Sequence, residues 1–350
     1  MEKLVLHKSD LKHWVDLMRR GFKVFAPSWE GGEMFFLSQA GPLEPDLLCG
    51  NATLPYLPPK DIVFPQSQTL FTFAHGAGDI ALSVPERPFQ RGVILGIRSC
   101  DTVGLQWLDR FYMSPFNDSY YHGRRNTLSL ISIACNQPMK NCFCICCEGG
   151  PFLDPEKQAF DIQLVDLNDH YLVECCSEKG KDLVALNPSL FSQPDSAMAE
   201  ARDRLEKESR TRFLQEPTSY MSAAIRRITS NSVPPEVWTE LGERCFDDGG
   251  CTFVCPCCSC FGVGYSCKGE TGCHYRFWDS CDYSGFTREV SGHNPRAEKG
   301  ERFKRRFFHK LSYQYVKKDG RIGCVGCGRC ITACPGGVGM PAVVERLRRG

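Results

Sequence analysis

The amino-acid sequence predicts two domains, an α/β domain over residues 1–230 and a mostly helical domain over residues 231–350. Two observations lead to this prediction. A strand–helix–strand pattern between residues 92 and 134 has two continuous apolar runs, which are typical of a buried parallel sheet. Two cysteine runs of matching spacing lie in the last third of the chain, after a segment rich in Ser, Asn and Pro at residues 216–235 that favours a domain boundary.

Hydrophobic periodicity predicts the other elements in chain order. A strand at residues 3–7 precedes a helix that runs to Arg20, because apolar residues recur there at the spacing of one helical face. The remaining strands and helices are predicted over residues 22–26, 33–37, 160–164, 171–174, 195–213 and 236–244.

Cysteines follow the two apolar strands of the first domain. The strands at 92–97 and 127–134 flank a helix, so their carboxyl ends share one sheet edge, where open α/β sheets build sites. This places four sulfurs close together, with Cys146 or Cys147 as substitutes: Cys100, Cys135, Cys142 and Cys144. They predict a third metal centre beside the two described next, and the alternative is that they are buried small hydrophobic residues.

The second cysteine run in the carboxyl-terminal part has the spacing C-x2-C-x2-C-x3-C-P that wraps a 4Fe-4S cluster. Its fourth cysteine ligates the other cluster in two-cluster ferredoxins, so the run implies a partner run. That partner spans residues 245–256 with the same spacing, except that Asp248 stands where the second cysteine is expected.

Crossed ligation predicts two 4Fe-4S clusters. The first is expected on Cys324, Cys327, Cys330 and Cys255, and the second on Cys245, Asp248, Cys251 and Cys334. A carboxylate is a harder iron ligand than a thiolate, so three outcomes stay open at the second cluster: Asp248 binds iron, another sulfur is recruited, or that iron is lost. A pair of zinc ribbons is the alternative for both runs, although zinc sites need only two C-x2-C pairs.

Further cysteines lie between the two runs. Cys258, Cys260 and Cys281 either complete the second cluster, build an additional one, or are structural thiols. The basic segment 302–310 has interleaved aromatic residues, so it is either a helix with a solvated charged face or a surface that docks a partner or tempers cluster charge.

The composition limits the function classes. Among 350 residues there are 22 cysteines, and no secretory signal is visible, so the thiols are expected to bind metal in a reducing, cytoplasmic compartment. No window is apolar enough to span a membrane, and a net charge of +1 argues against a nucleic-acid binder.

Several motifs occur in an order that resembles a known family. They are Lys23-Val-Phe-Ala-Pro27, Arg98-Ser-Cys-Asp101, Tyr120-Tyr-His-Gly-Arg-Arg125, Cys142-Phe-Cys144, Trp278-Asp-Ser-Cys281, Ser291-Gly-His-Asn-Pro-Arg296, His309-Lys310 and Cys324-Val-Gly-Cys-Gly-Arg-Cys330. The set resembles the iron–sulfur protein that cytosolic sulfhydrogenases, as their beta subunit, share with anaerobic sulfite reductases.

The resemblance implies an electron-transfer subunit of anaerobic metabolism, placed between a flavin-containing NAD(P)-type reductase subunit and a catalytic oxidoreductase subunit. It also implies that the four cysteines of the first domain match family cysteine positions, and that Asp248 replaces a family cysteine. Two other functions stay open: direct reduction of a sulfur or disulfide substrate at a cluster with an open iron site, and a zinc-stabilised interaction module.

Overall fold

The computed structural model describes residues 1–38, 43–51, 54–76, 78–85, 89–157, 160–215, 220–315 and 320–349. Its strands are β1 (Glu2–His7), β2 (Lys23–Glu30), β3 (Glu33–Ser38), β4 (Ser67–His75), β5 (Ile80–Ser83), β6 (Gly92–Arg98), β7 (Leu128–Ile133), β8 (Ile162–Asp166), β9 (His170–Cys175), β10 (Phe191–Ser192), β11 (Phe261–Lys268) and β12 (Thr271–Trp278). Its helices are α1 (Leu11–Met18), α2 (Lys60–Val63), α3 (Ser99–Met113), α4 (Ser119–Thr127), α5 (Glu178–Val184), α6 (Ser196–Gln215), α7 (Met221–Thr229), α8 (Pro235–Glu243), α9 (Gly250–Phe253), α10 (Lys299–Leu311), α11 (Arg329–Thr332) and α12 (Met340–Arg349).

The main sheet is mixed. Within the described residues it has eight strands in the order β10-β1-β9-β8-β7-β6-β2-β3. The neighbours β2, β6, β7 and β8 pair in parallel, and the outer strands pair antiparallel. Every residue of β6 and β7 is buried, because parallel strands at the centre of an α/β sheet are covered on both faces. The α/β prediction for the first domain is therefore confirmed, with antiparallel strands added at both edges.

A second, antiparallel sheet corrects the prediction for the carboxyl-terminal part. Among the described residues this sheet has the order β11-β12-β4-β5, so it joins strands from both sides of residue 230. The expectation of a mostly helical domain is wrong here. Aromatic and β-branched residues alternate along β11, Gly269 forms the turn at a φ of +60°, and pairing with β4 satisfies the backbone hydrogen bonds of β12.

The helices α7, α8, α10 and α12 pack around one hydrophobic cluster. Trp238 of α8, Phe303 and Phe307 of α10, and Val344 of α12 are buried in it. The buried aromatic stripe expected on α10 is thus present. The charged face of the same helix is buried as well, because Arg302, Arg306 and Lys310 are each less than a tenth exposed.

The boundary between the parts stays a prediction. Residues 216–219 of the expected linker lie outside the described residues, and the rest of the segment forms α7 and the start of α8. In the part of the chain that the structure describes, no helix has both the length and the apolar composition needed to cross a membrane.

Candidate metal centres

The first group of thiols consists of Cys324, Cys327, Cys330 and Cys255. Loops around α9 and α11 bring it together, and these loops carry the two cysteine runs. Burial raises the pKa of Cys327 and Cys330, and the nearby Cys255 adds to both shifts. The four thiols predicted for the first cluster are therefore near neighbours in the fold.

Two thiols of this group have lowered pKa values. Hydrogen bonds from Cys257 and Cys258 lower the pKa of Cys255 well below its usual value, and Lys310 lowers it further, since its Nζ lies 3.2 Å from Cys255 Sγ. A hydrogen bond from Cys147 lowers the pKa of Cys324, and Lys310 contributes there too. These environments favour the thiolate, which is the form that binds metal.

The second group surrounds a small cavity. The cavity is lined by all four residues predicted for the second cluster, Cys245, Asp248, Cys251 and Cys334, and by Cys330 of the first group. The Asp248 side chain is largely exposed, and its Oδ1 accepts a hydrogen bond from the Gly250 backbone N–H at 2.8 Å.

A second carboxylate, Asp282, lines the same cavity and was missed from the sequence. It is 2 % exposed, and its Oδ2 lies 3.2 Å from Cys251 Sγ. Among the described residues no group donates a hydrogen bond to Oδ1 of Asp282. A buried carboxylate oxygen without a partner is costly, so this cavity suits a bound group that interacts with the carboxylate.

Arg306 lies between the first two groups. Its guanidinium donates to Thr252 Oγ1 and to the Cys251 carbonyl, each at 3.1 Å. Burial alone would lower the pKa of Arg306, but Cys251 and Asp282 outweigh that effect and raise it well above its usual value. The charged face of α10 therefore faces cysteines, which agrees with the expectation that it tempers the charge of bound clusters.

The third group is the predicted set at the sheet edge. Cys100 lies at the start of α3, directly after β6, and Cys135 follows β7, so both are at the carboxyl ends of parallel strands as expected. Cys142 and Cys144 complete the set, and all four are buried in one cluster that also contains Cys327. Burial raises the pKa of Cys142 to about 11, with a further contribution from Cys135.

The first and third groups are held together by two contacts. Phe143 N–H donates to the Gly326 carbonyl at 2.8 Å, between the loops that carry the two groups. Arg329 forms a bidentate pair with Asp101, whose longer bond is 2.8 Å, and both residues are buried. Both residues belong to cysteine motifs that the sequence singled out, but no pattern indicated that they pair.

The remaining cysteines are distributed differently. The candidate additional ligands Cys258, Cys260 and Cys281 line another cavity together with Cys257. The suggested substitute Cys147 lies against Cys324 of the first group. In the described residues no three Cys, His, Asp or Glu side chains are grouped as ligands of a single metal ion. The cysteines are arranged around cavities, as ligands of a polynuclear cluster are.

Comparison with known proteins agrees with this arrangement. Residues 244–338 match the 4Fe-4S dicluster domain family, a range that contains both cysteine runs. Over 297 residues, the chain is 29 % identical to the protein described as sulfhydrogenase 2 subunit beta from Pyrococcus furiosus, covering 84 % of this chain and 82 % of that relative. The chain is a 4Fe-4S protein related to the sulfhydrogenase beta subunits. The resemblance inferred from the sequence motifs is confirmed, and the dicluster domain of this iron–sulfur subunit contains the first and second cysteine groups.

Proposed function

We propose that this chain is the electron-transfer subunit of a cytoplasmic oxidoreductase complex. It relays single electrons between a flavin-containing NAD(P)-type reductase subunit and a catalytic subunit that acts on hydrogen, sulfite, sulfur or a disulfide. The observation that carries the proposal is the continuity of the cysteine groups. Cys327 of the first group is buried with the third group, and Cys330 lines the cavity of the second.

The proposed ligands follow these groups. The first cluster binds Cys324, Cys327, Cys330 and Cys255, and the second binds Cys245, Asp248, Cys251 and Cys334. A third cluster binds Cys100, Cys135, Cys142 and Cys144. When bound, such clusters supply one-electron redox chemistry at potentials set by hydrogen bonds to sulfur, charge and exposure.

The chain's own residues support a relay. Lys310 and Arg306 are buried cations beside the first and second groups, and they compensate the negative charge of thiolates in a low-dielectric interior. The Asp101–Arg329 pair lies between the first and third groups and adds no net charge there. The groups are therefore held at fixed positions by buried polar contacts.

A second candidate function is direct reduction of a sulfur or disulfide substrate. Asp248 favours it, because this exposed carboxylate is a weak ligand that can yield an iron to an incoming sulfur atom. In that reaction two electrons from a reduced partner cleave the disulfide bond, and two protons from solvent give the thiols. A zinc-stabilised module is the third possibility.

The test is to prepare the chain anaerobically, alone and with its co-purifying subunits. We expect iron and acid-labile sulfide in both preparations, bleaching of the visible absorption by NAD(P)H only in the complex, and no turnover of sulfur substrates by the isolated chain with an artificial donor. Cys142→Ser should interrupt transfer through the complex, whereas Cys267→Ser, on exposed β11, should not. Turnover by the isolated chain would support the reductase, and zinc in place of iron would support the interaction module.

A further inference from the structure

Four cysteines outside the three groups line one cavity: Cys257, Cys258, Cys260 and Cys281. The hairpin register explains how they meet. Phe261 pairs with Trp278 at the open end of the β11–β12 hairpin, so the residues just outside it lie side by side. Asp279 N–H donates to the Cys260 carbonyl at 3.2 Å, and the thiols of Cys260 and Cys281 are within hydrogen-bonding distance of each other.

The cavity is also lined by buried cations. Lys310 and Arg306 reach it from α10, and both are less than a tenth exposed. Lys60 reaches the same cysteines from α2, is 2 % exposed, and donates to the Cys258 carbonyl at 3.3 Å. A buried charge is costly unless it is compensated, so three cations at one place require negative charge from the thiols or from a group bound to them.

The neighbouring clusters do not account for all of this set. Cys255 is assigned to the first group and contacts Cys257 and Cys258, so one end of the set is adjacent to the first group. Cys260 and Cys281 lie at the other end. Asp282, the next residue after Cys281, lines the cavity of the second group, so the chain passes between the two cavities there.

We propose that Cys257, Cys258, Cys260 and Cys281 hold a fourth iron–sulfur cluster. Soft thiolates select iron–sulfur clusters, and four of them around one cavity beside buried cations match the donor set of the other groups. The cavity shares Trp107, Ser259 and His309 with a larger aromatic groove of about 580 Å³ at the surface. A cluster here extends the series of centres towards that groove, and it is independent of which partners the subunit has.

The first experiment uses the anaerobically purified full chain with the double substitution Cys260→Ser and Cys281→Ser. We expect the loss of iron and sulfide equal to one cluster, and loss of one component of the Mössbauer and paramagnetic resonance spectra. The matched control is Cys267→Ser with Cys273→Ser on the same hairpin, which should keep the full complement. An unchanged iron content in the first variant would overturn the proposal.

A second measurement on the unmodified protein keeps the proposal testable if the variant does not fold. Thiol alkylation followed by mass spectrometry should find Cys257, Cys258, Cys260 and Cys281 protected in the iron-loaded protein and labelled after iron chelation in denaturant. Labelling of Cys260 and Cys281 in the loaded, folded protein would contradict the proposal, as would a disulfide between them in anaerobic material.

Discussion

At the scale of single residues, the sites are distinguished by the charges buried beside the sulfurs. Lys310 donates to Cys255 Sγ at 3.2 Å and to the Gly323 carbonyl at 2.9 Å. Burial alone would lower the pKa of Lys310, but Cys255 and Cys258 outweigh it and raise the pKa well above its usual value. The side chain therefore stays protonated, and its charge stabilises thiolates more than it would in water.

The substitution Lys310→Met tests this role. Removing a buried positive charge destabilises the reduced, more negative form of the proposed first cluster, so its reduction potential should fall. A spectroscopic redox titration measures the change. Lys304→Met on the same helix is the control, because Lys304 is partly exposed, and it should leave the potential almost unchanged. Equal shifts in both variants would contradict a local effect of Lys310.

Two carboxylates face the second group, and substitution distinguishes them. Asp248→Cys should change the resonance spectrum and the potential of one cluster only, because it adds a thiolate where the run lacks one. Asp282→Asn should raise the potential of the same cluster without changing the type of spectrum, since it removes a negative charge next to Cys251. If Asp282→Asn alters the spectrum and Asp248→Cys does not, the assignment of Asp248 as the iron ligand is wrong.

At the scale of elements, the loop of the second cysteine run is shaped by its glycines. Gly326 has a φ of +65°, and a Cβ there would lie 2.5 Å from the Cys144 Cα and from the Phe143 carbonyl oxygen. The loop that carries the first group can therefore lie directly against the loop that carries the third. Glycine is required by the backbone conformation and by the close approach.

Gly326→Ala should reduce stability and iron content. The left-handed backbone costs about 1–2 kcal/mol for a non-glycine residue, and the overlap adds about 1–3 kcal/mol. Gly269→Ala in the β11–β12 turn is the matched control, because its φ is +60° but nothing lies within 4 Å of the added Cβ. Thermal unfolding and iron content measure both, and equal losses would show that contact between the loops is unimportant.

At the scale of the whole molecule, contacts that cross residue 230 hold the two parts together. Arg329 follows Cys327 in the carboxyl-terminal run, and Asp101 follows Cys100 at the sheet edge, so their ion pair joins two proposed ligand sets. The second sheet adds another junction, since β12 pairs with β4 over most of its length. We therefore expect the two parts to unfold together.

Arg329→Gln tests the coupling. It leaves the fully buried Asp101 carboxylate without its partner, which should cost about 3–5 kcal/mol. Arg346→Gln removes the partly exposed pair with Glu240 and should cost at most about 1 kcal/mol. Chemical denaturation followed by circular dichroism and by cluster absorbance measures both. Separate transitions for the two signals in the unmodified protein would argue against a single cooperative unit.

Local patterns were sufficient for much of the fold and of the cysteine groups. The helix α1, the buried strands β6 and β7, and the β8–β9 hairpin follow from periodicity, because each buries one face or lies fully inside the core. The hairpin β11–β12 was overlooked, since cysteines and glycines interrupt its alternation and its stabilising partner β4 lies far away in the sequence.

The chemistry of the protein could be established from the order of its residues, because the spacing of thiols along a short loop decides whether they can reach one cluster. The meeting of Cys100 and Cys135 could be established in the same way, since parallel strands end at one sheet edge. Which charges face the sulfurs emerged from the packed fold: Lys60 and Asp282 come from distant segments, and the hairpin register brings Cys260 to Cys281. Such contacts depend on how elements pack over long separations in the chain, and no local pattern records that.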